Sequence, residues 1–421
     1  MNTLATGAIR PAEAAKGAIR FSRNEWSGAF GDLGTDLPLL VGMILAAHLD
    51  AASVLTLFGV MQILTALRYR IPMPVQPLKA MAALVIAQKL PGNVLYGAGL
   101  AIGIVMFLLT VTGLVDWIAR IIPKAVVRGI QLGLGLQLAS IALKDYAGRD
   151  GLNGWLLAAV GFATTIVLIG RKKVPSAIIL IGLGSAYAFV FRLTPSDLIT
   201  AAGWSLPIWN TPSRADIWTG FLVLALPQIP LSLANSILAT RQIAEDFFPE
   251  RRITVRGISL TYAAMNLLNP FGSGVPTCHG SGGMAGHYTF GGRTGGSVII
   301  YGALYLTLGL FFSRGFDRVV QVFPMPILGV LLLFEALTLI VLVKDLYAVP
   351  AEFYVAVLVG LVAANVPYGY LVGLIVGTLI LLAVRKGFVN APGEPPVQAS
   401  AGQPPDGDKN SATPPEPCRT T

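Results

Sequence analysis

Pro276-Thr277-Cys278-His279-Gly280-Ser281-Gly282-Gly283-Met284-Ala285-Gly286-His287, running on to Ser297, is the stretch whose reading decides the fold. Between Pro276 and Ser297 the chain carries eight glycines, two of its three histidines and one of its two cysteines, and strongly apolar segments flank it on both sides. Glycine bares the backbone, and lipid offers no partner to bared N–H and C=O groups. Such a stretch persists at membrane depth only where protein buries it or where it lines a cavity. It is therefore a binding-site candidate inside a membrane-spanning fold.

Composition supports the membrane. The 421 residues are 54% hydrophobic and 12% charged, whereas soluble domains carry about 25% charged residues. The net charge of +9 comes from basic residues placed singly and in pairs between apolar runs, which is the pattern of cytoplasmic membrane loops rather than of a nucleic-acid surface. No nucleic-acid partner is expected. Met1 to Arg23 holds four basic residues but lacks a short apolar core with a small-residue cleavage site, so no signal peptide is read there. Cys278 and Cys418 are too few and too differently placed for a disulfide framework.

A bilayer core about 30 Å thick needs roughly 20 apolar residues per helix. On that scale fourteen segments begin, near Trp26, Ala51, Val75, Val94, Lys124, Asn153, Pro175, Asp216, Gly257, Gly280, Thr294, Phe323, Pro350 and Tyr368. The third and tenth are short and follow prolines, and paired interrupted segments of this kind mark a transporter's binding site. With the amino terminus inside, 20 basic residues fall on the inner side and 7 on the outer before the tail. The bias predicts two cytoplasmic termini and an even number of spans. Pro77 and Pro123 are 46 residues apart and Pro276 and Pro324 are 48 apart, so the halves echo each other. Seven segments per half is an odd number, and consecutive copies then insert in opposite orientations with the site at the midplane between them.

The predicted fold is an all-α polytopic membrane protein of about 14 spans in a 7+7 inverted repeat. Residues 1–23 form a cytoplasmic segment, 24–192 the first membrane repeat, 193–215 an extracytoplasmic connection and 216–389 the second repeat. The connection carries interfacial Trp204 and Trp209. Residues 390–421 form a Pro-, Gly- and Ser-rich tail whose composition predicts disorder.

In Pro72-Met73-Pro74-Val75-Gln76-Pro77-Leu78-Lys79, an extended run leads into a helix, with Pro77 suited to the first helical position. A helix that starts at the midplane aims free N–H groups and about half a positive charge at whatever precedes it. The second half has its partner start near His279 to Gly283, and two such starts facing each other form an anion cradle. The candidate ligands are Gln76, Pro77 and Lys79 from the first half and Thr277, Cys278, His279, Gly280, Ser281, Gly282 and Gly283 from the second, with Gln228 beside them. Lys79 adds a full charge, Gln76 an amide donor, Thr277 and Ser281 hydroxyl donors, and the glycines close approach to backbone. A tetrahedral oxyanion fits that inventory.

Each residue also has a plainer role. The glycines suit close helix packing, Lys79 suits neutralising an intramembrane carboxylate, His279 suits a satisfied core position and Cys278 a small apolar filler. Gln228 and Asn235 either line the cavity or bridge helices. Asp32 and Asp36 share a helix face at a spacing of four, and Glu335 lies inside an apolar span. Intramembrane acids are expensive and usually functional, which makes these three the proton-coupling candidates; the competing role is an ion pair with Lys79 or Arg128. Ser281 lacks a nucleophile elbow, the glycines lack a P-loop ending and Cys278 with two histidines has no zinc spacing. No enzyme, metal or cofactor is expected.

Four stretches resemble the molybdate transporters distantly related to sulfate permeases. They are Phe30-Gly31-Asp32-Leu33-Gly34-Thr35 with Pro38, the run from Pro72 to Lys79, Leu226-Pro227-Gln228-Ile229-Pro230-Leu231, and Pro276 to Gly295. The resemblance implies secondary active uptake of molybdate, with sulfate or tungstate as related oxyanions, across the cytoplasmic (inner) cell membrane. It implies a fold like that of the uracil and sulfate permeases without a STAS domain. Core and gate domains, crossed half-helices and an elevator-like motion belong to the same picture. Its partners are the lipid bilayer, the oxyanion and at most a second copy in a homodimer. Asp36, His287 and Thr289 depart from the family pattern. Sulfate shares the shape and charge of molybdate, so a sulfate or general oxyanion permease is the alternative; a non-transporting membrane anion sensor is the alternative of another class.

Overall fold

The computed structural model describes residues 18–115, 117, 123–168, 176–191, 194, 202–315 and 323–386. The expected tail, residues 1–17, part of the expected connection (193 and 195–201) and Cys418 lie outside the described residues.

The chain opens with α1 (Arg23–Ala29) and α2 (Leu33–Ala47), which meet at a 41° bend around Gly31. Next come α3 (Ala51–Tyr69), a short strand β1 (Val75–Pro77), α4 (Lys79–Gln88), α5 (Gly92–Val111), α6 (Lys124–Ile141), α7 (Gly151–Leu168) and α8 (Ser176–Phe191). The second half has α9 (Arg214–Phe247), α10 (Val255–Leu268), strand β2 (Thr277–His279), α11 (Ser281–Thr289), α12 (Gly296–Phe311), α13 (Met325–Val341), α14 (Pro350–Asn365) and α15 (Gly369–Arg385). Large apolar side chains such as Leu152, Trp155, Phe191 and Leu379 stay exposed on the outside, as a protein solvated by lipid requires. This is a multi-pass membrane protein.

One expectation is met in part and one needs correction. Helices begin near all fourteen predicted starts, but among the described residues only six are long and apolar enough to cross a membrane, or seven with the bent pair of α1 and α2. The fold is also not purely helical. β1 and β2 form an antiparallel ribbon, with Val75 opposite His279, Gln76 opposite Cys278 and Pro77 opposite Thr277. Pro77 therefore lies in a strand and not at the first helical position, and α4 starts at Lys79 behind Leu78. The physical reason is local: a residue before proline is driven to extended backbone, and Pro74 and Pro77 impose this twice within four residues.

The ribbon's outer edges are closed by side-chain amides. Gln62 of α3 accepts from Val75 N–H (2.8 Å) and donates to Val75 C=O (2.6 Å). Asn266 of α10 does the same for Thr277, at 3.0 and 2.6 Å. The two halves thus solve the same problem with the same chemistry.

The helices fall into two packed groups. In one, α3 packs on α12 while α5 packs on α9 and α10. In the other, α6 packs on α13 and α14, α14 on α15, and α13 on α7. Small residues permit the closest contacts: a Cβ at Gly59 would come within 2.6 Å of Gly302 O, and one at Gly302 within 2.8 Å of Gly59 O. The groups meet where α4 lies against α6 and α2 against α13.

Glu25, 2% exposed, ties α1 to the start of α12. Its Oε1 accepts from Arg293 N–H (3.0 Å) and Thr294 N–H (2.9 Å), and its Oε2 from Ser297 N–H (3.0 Å). A carboxylate at a helix start satisfies orphan donors and complements the dipole. Glu25→Ala leaves these donors without their acceptor and should lower stability by about 2–3 kcal/mol, read as a lower thermal-unfolding midpoint in detergent. An unchanged midpoint would show that water takes over the cap.

Candidate functional site

The ribbon places the two half-helices α4 and α11 with their starts side by side. Around them lies a cavity of about 20 Å³ lined by Gln76, Lys79, Gln228, Cys278, His279, Gly280 and Ser281. Seven of the expected ligands thus converge from segments some two hundred residues apart. Pro77, Thr277, Gly282 and Gly283 do not line this cavity.

Each absence has a cause. Pro77 and Thr277 face each other in the ribbon, and the Thr277 hydroxyl accepts from Asn269 Nδ2 (3.2 Å). A Cβ at Gly283 would collide with the Asp32 carboxylate, and one at Gly280 with the Gln76 side chain. These two glycines make room for side chains, which is the packing role. Gly282 is exposed, and a Cβ there would meet nothing within 4 Å, so close approach of neighbouring atoms does not demand glycine at this position.

The charged groups are linked. Lys79 Nζ lies 2.5 Å from Glu335 Oε1, and Thr35 donates to Glu335 Oε2 at 3.2 Å. Gln76 Nε2 donates to Asp32 Oδ1 (2.6 Å), while Asp32 Oδ2 is buried without a protein donor. One turn further along α2, Asp36 Oδ2 accepts from Tyr301 OH (3.0 Å), which lies 3.1 Å from Tyr305 OH, and Asp36 Oδ1 is again without a donor. Arg128, the other expected partner, pairs with Asp345 instead. Of the three carboxyl groups, Glu335 touches the Lys79 ammonium, while Asp32 is held by Gln76 and Asp36 by Tyr301.

His279 is neither a free ligand nor fully satisfied. Its Nε2 lies 2.6 Å from Thr261 Oγ1 and its ring meets Tyr69 edge-on, but Nδ1 has no partner. Cys278 is a buried free thiol, consistent with a filler. His287 packs edge-on to Tyr301 and reaches Ser297, away from the cavity.

The half-helix starts differ in what they offer. On α11, Met284 N–H closes back to Gly280 C=O (3.0 Å), and among the described residues no protein acceptor takes the N–H groups of Ser281, Gly282 or Gly283. On α4, Ala80 and Met81 N–H donate to Gln228 Oε1, at 2.9 and 3.4 Å. The predicted symmetric cradle is thus open on one side and capped on the other.

Sequence reasoning missed Gln131 and Ser236, which also line the cavity. Gln131 is 1% exposed; its Oε1 accepts from Arg128 Nη1 (2.9 Å), and its Nε2 is buried without an acceptor. An amide inside the apolar helix α6 is the available signal, but a lone amide among apolar residues carries no sign of the cavity it faces.

The ion pair has a measurable signature. Breaking a buried pair from one side costs about 3–5 kcal/mol, so Lys79→Ala and Glu335→Ala should each lower the unfolding midpoint strongly. The double variant should lose clearly less than the two singles combined, and strict additivity would mean that the pair contributes no coupling.

A family profile described as molybdate transporter of MFS superfamily matches residues 24–138 and 220–339. Molybdate transporter 2 of Arabidopsis thaliana is 32% identical over 85% of this chain and 87% of that protein. Among solved structures, the transmembrane domain of a cyanobacterial bicarbonate transporter, BicA, superposes with a TM-score of 0.60 at 16% identity, covering 83% of this chain and 98% of that one. The murine Solute Carrier 26 family member A9 anion transporter, in its inward-facing state, gives a TM-score of 0.65 at 12% identity, covering 88% and 69%. These structures establish the likeness of fold alone.

Proposed function

The chain belongs to the molybdate transporter family, and from that premise we propose that it is a secondary active transporter taking up molybdate across the cytoplasmic membrane. The observation that carries the reading is the meeting of two half-helix starts at a cavity lined by Lys79 and by Gln131, whose amide nitrogen has no acceptor. Free N–H groups at a helix start and a nearby ammonium are what an oxyanion needs. The α11 start, Lys79 Nζ and Gln131 Nε2 would hold the dianion, with Ser281 as a hydroxyl donor. No catalytic role is assigned to any of them.

In this reading the architecture is a 7+7 inverted repeat with both termini cytoplasmic. The reciprocal packing of α3 on α12 and α10 on α5, together with the matched amides Gln62 and Asn266, supports the repeat. The group holding the half-helices would be the moving core, and α6 with α13 to α15 part of the gate.

Proton coupling follows from charge. The region holds one ammonium against three carboxyl groups, and a dianion cannot enter it unless carboxyls are neutralised. Glu335 is already paired with Lys79, so Asp32 and Asp36 are the carriers this reading prefers. An inward acid gradient should then drive accumulation in liposomes. Asp36→Asn should abolish that drive while leaving exchange of labelled molybdate at equal pH; gradient-driven accumulation by this variant would remove Asp36 from the coupling role.

Sulfate has the same shape and charge, so a general oxyanion permease is the second reading. Calorimetric titration of the purified protein with molybdate, repeated in excess sulfate, separates the two. Lys79→Ala should weaken binding by about tenfold or more, as loss of a charge-assisted contact implies. Equal displacement by sulfate would broaden the substrate, and binding without exchange in liposomes would favour an anion sensor.

A further inference from the structure

The first turn of α4 has a peculiarity that the transport reading does not use. Leu78 N–H is taken by Pro276 C=O (3.0 Å) and Ala82 N–H closes the first helical turn on Leu78 C=O (2.8 Å). Between them, Ala80 and Met81 N–H converge on a single atom, Gln228 Oε1. Gln228 comes from the middle of α9, nearly 150 residues away, and is 2% exposed. Its NH2 group donates to Ser232 Oγ (3.2 Å), which lies 2.7 Å from Tyr262 OH. A neutral acceptor oxygen thus sits where a helix start would bind an anion's oxygen.

Gln228 also lines the cavity at the two helix starts. The segment carrying Gln228 is irregular: Pro227 and Pro230 lie within it, and π-helical turns flank it at Phe221–Ala225 and Ser232–Ala239. Prolines remove helical hydrogen bonds, and π turns inside helices are frequent at functional sites.

We infer that Gln228 is an internal stand-in for the substrate: its amide oxygen caps α4 until an oxyanion arrives and is then exchanged for an oxyanion oxygen. Gln228 is thus a competitor for the helix start rather than a ligand of the anion. The exchange rests on the anion-transport reading and sets the affinity of that site. It also explains why the two half-helices differ, since α11 keeps its donors open while α4 lends its own to Gln228.

The test is the sign of an affinity change. Purified wild-type protein, Gln228→Ala and Gln228→Leu are titrated calorimetrically with molybdate; the leucine variant keeps the side-chain volume. Both variants should bind about tenfold more tightly, equivalent to ~1.4 kcal/mol, because no internal acceptor has to be displaced. Gln228→Glu should lose measurable binding, since a carboxylate makes charge-assisted bonds to the same N–H groups. Ser232→Ala, which only loosens the hold on the amide, should tighten binding by a smaller factor and serves if the Gln228 variants fail to fold. Weaker binding by these variants would make Gln228 a direct ligand, and unchanged affinity would mean that the cap stays in place under the anion; either overturns the exchange. Absence of molybdate and sulfate binding by the wild type would instead refute the transport reading, and the exchange with it.

Discussion

Backbone that leaves the helix inside a bilayer must find its hydrogen bonds within the protein, and this constraint organises the whole chain. The two breaks, at Val75–Pro77 and Thr277–His279, satisfy part of each other as an antiparallel ribbon. A three-residue strand pair still leaves outer edges, and an uncovered edge in an apolar interior is costly. Gln62 and Asn266 cover them, each acting through one amide as a substitute for a further strand. The positions of α3 and α10 are fixed by that duty as much as by apolar packing.

From this follows the placement of the half-helices. Because β1 and β2 run antiparallel, α4 and α11 leave the ribbon in opposite senses with their starts adjacent. Close packing is then achieved with glycine: a Cβ at Gly31 would strike the Gly286 backbone, and one at Gly286 would lie 2.5 Å from Gly31 O. The bend between α1 and α2 thereby seats against α11, and Asp32 reaches the site at that bend. The glycines that advertise a binding site in the sequence thus serve mainly to let other side chains and backbone approach it.

The electrostatics have the same logic. Lys79 does not stand as a bare cation awaiting an anion; it is held by Glu335 from α13. This pair crosses between the two packed groups of helices, so its geometry and the relative position of the groups are connected. Asp36 is held instead by Tyr301 OH, which in turn meets Tyr305 OH. In the proposed reading, an anion site with more carboxyl groups than cations would need protons to share in the balance.

The membrane class, the two interrupted helices and the family resemblance were legible because they reside in local pattern. Apolar runs, prolines that forbid helix and glycines that bare backbone act on their immediate neighbours. The position of Pro77 was misjudged because its fit to a helix start is local whereas its strand pairing lies two hundred residues away. Glu25, Gln62, Gln131 and Asn266 went unnoticed for a related reason: a single polar residue in a helix carries no sign of its partner. What the sequence by itself determined is where the chain must break and which residue types stand at the breaks. Only the tertiary structure decided that Glu335 answers Lys79, that Glu25 caps α12 and that Gln228 covers α4, because each partnership joins residues more than 140 positions apart and arises from packing rather than from spacing.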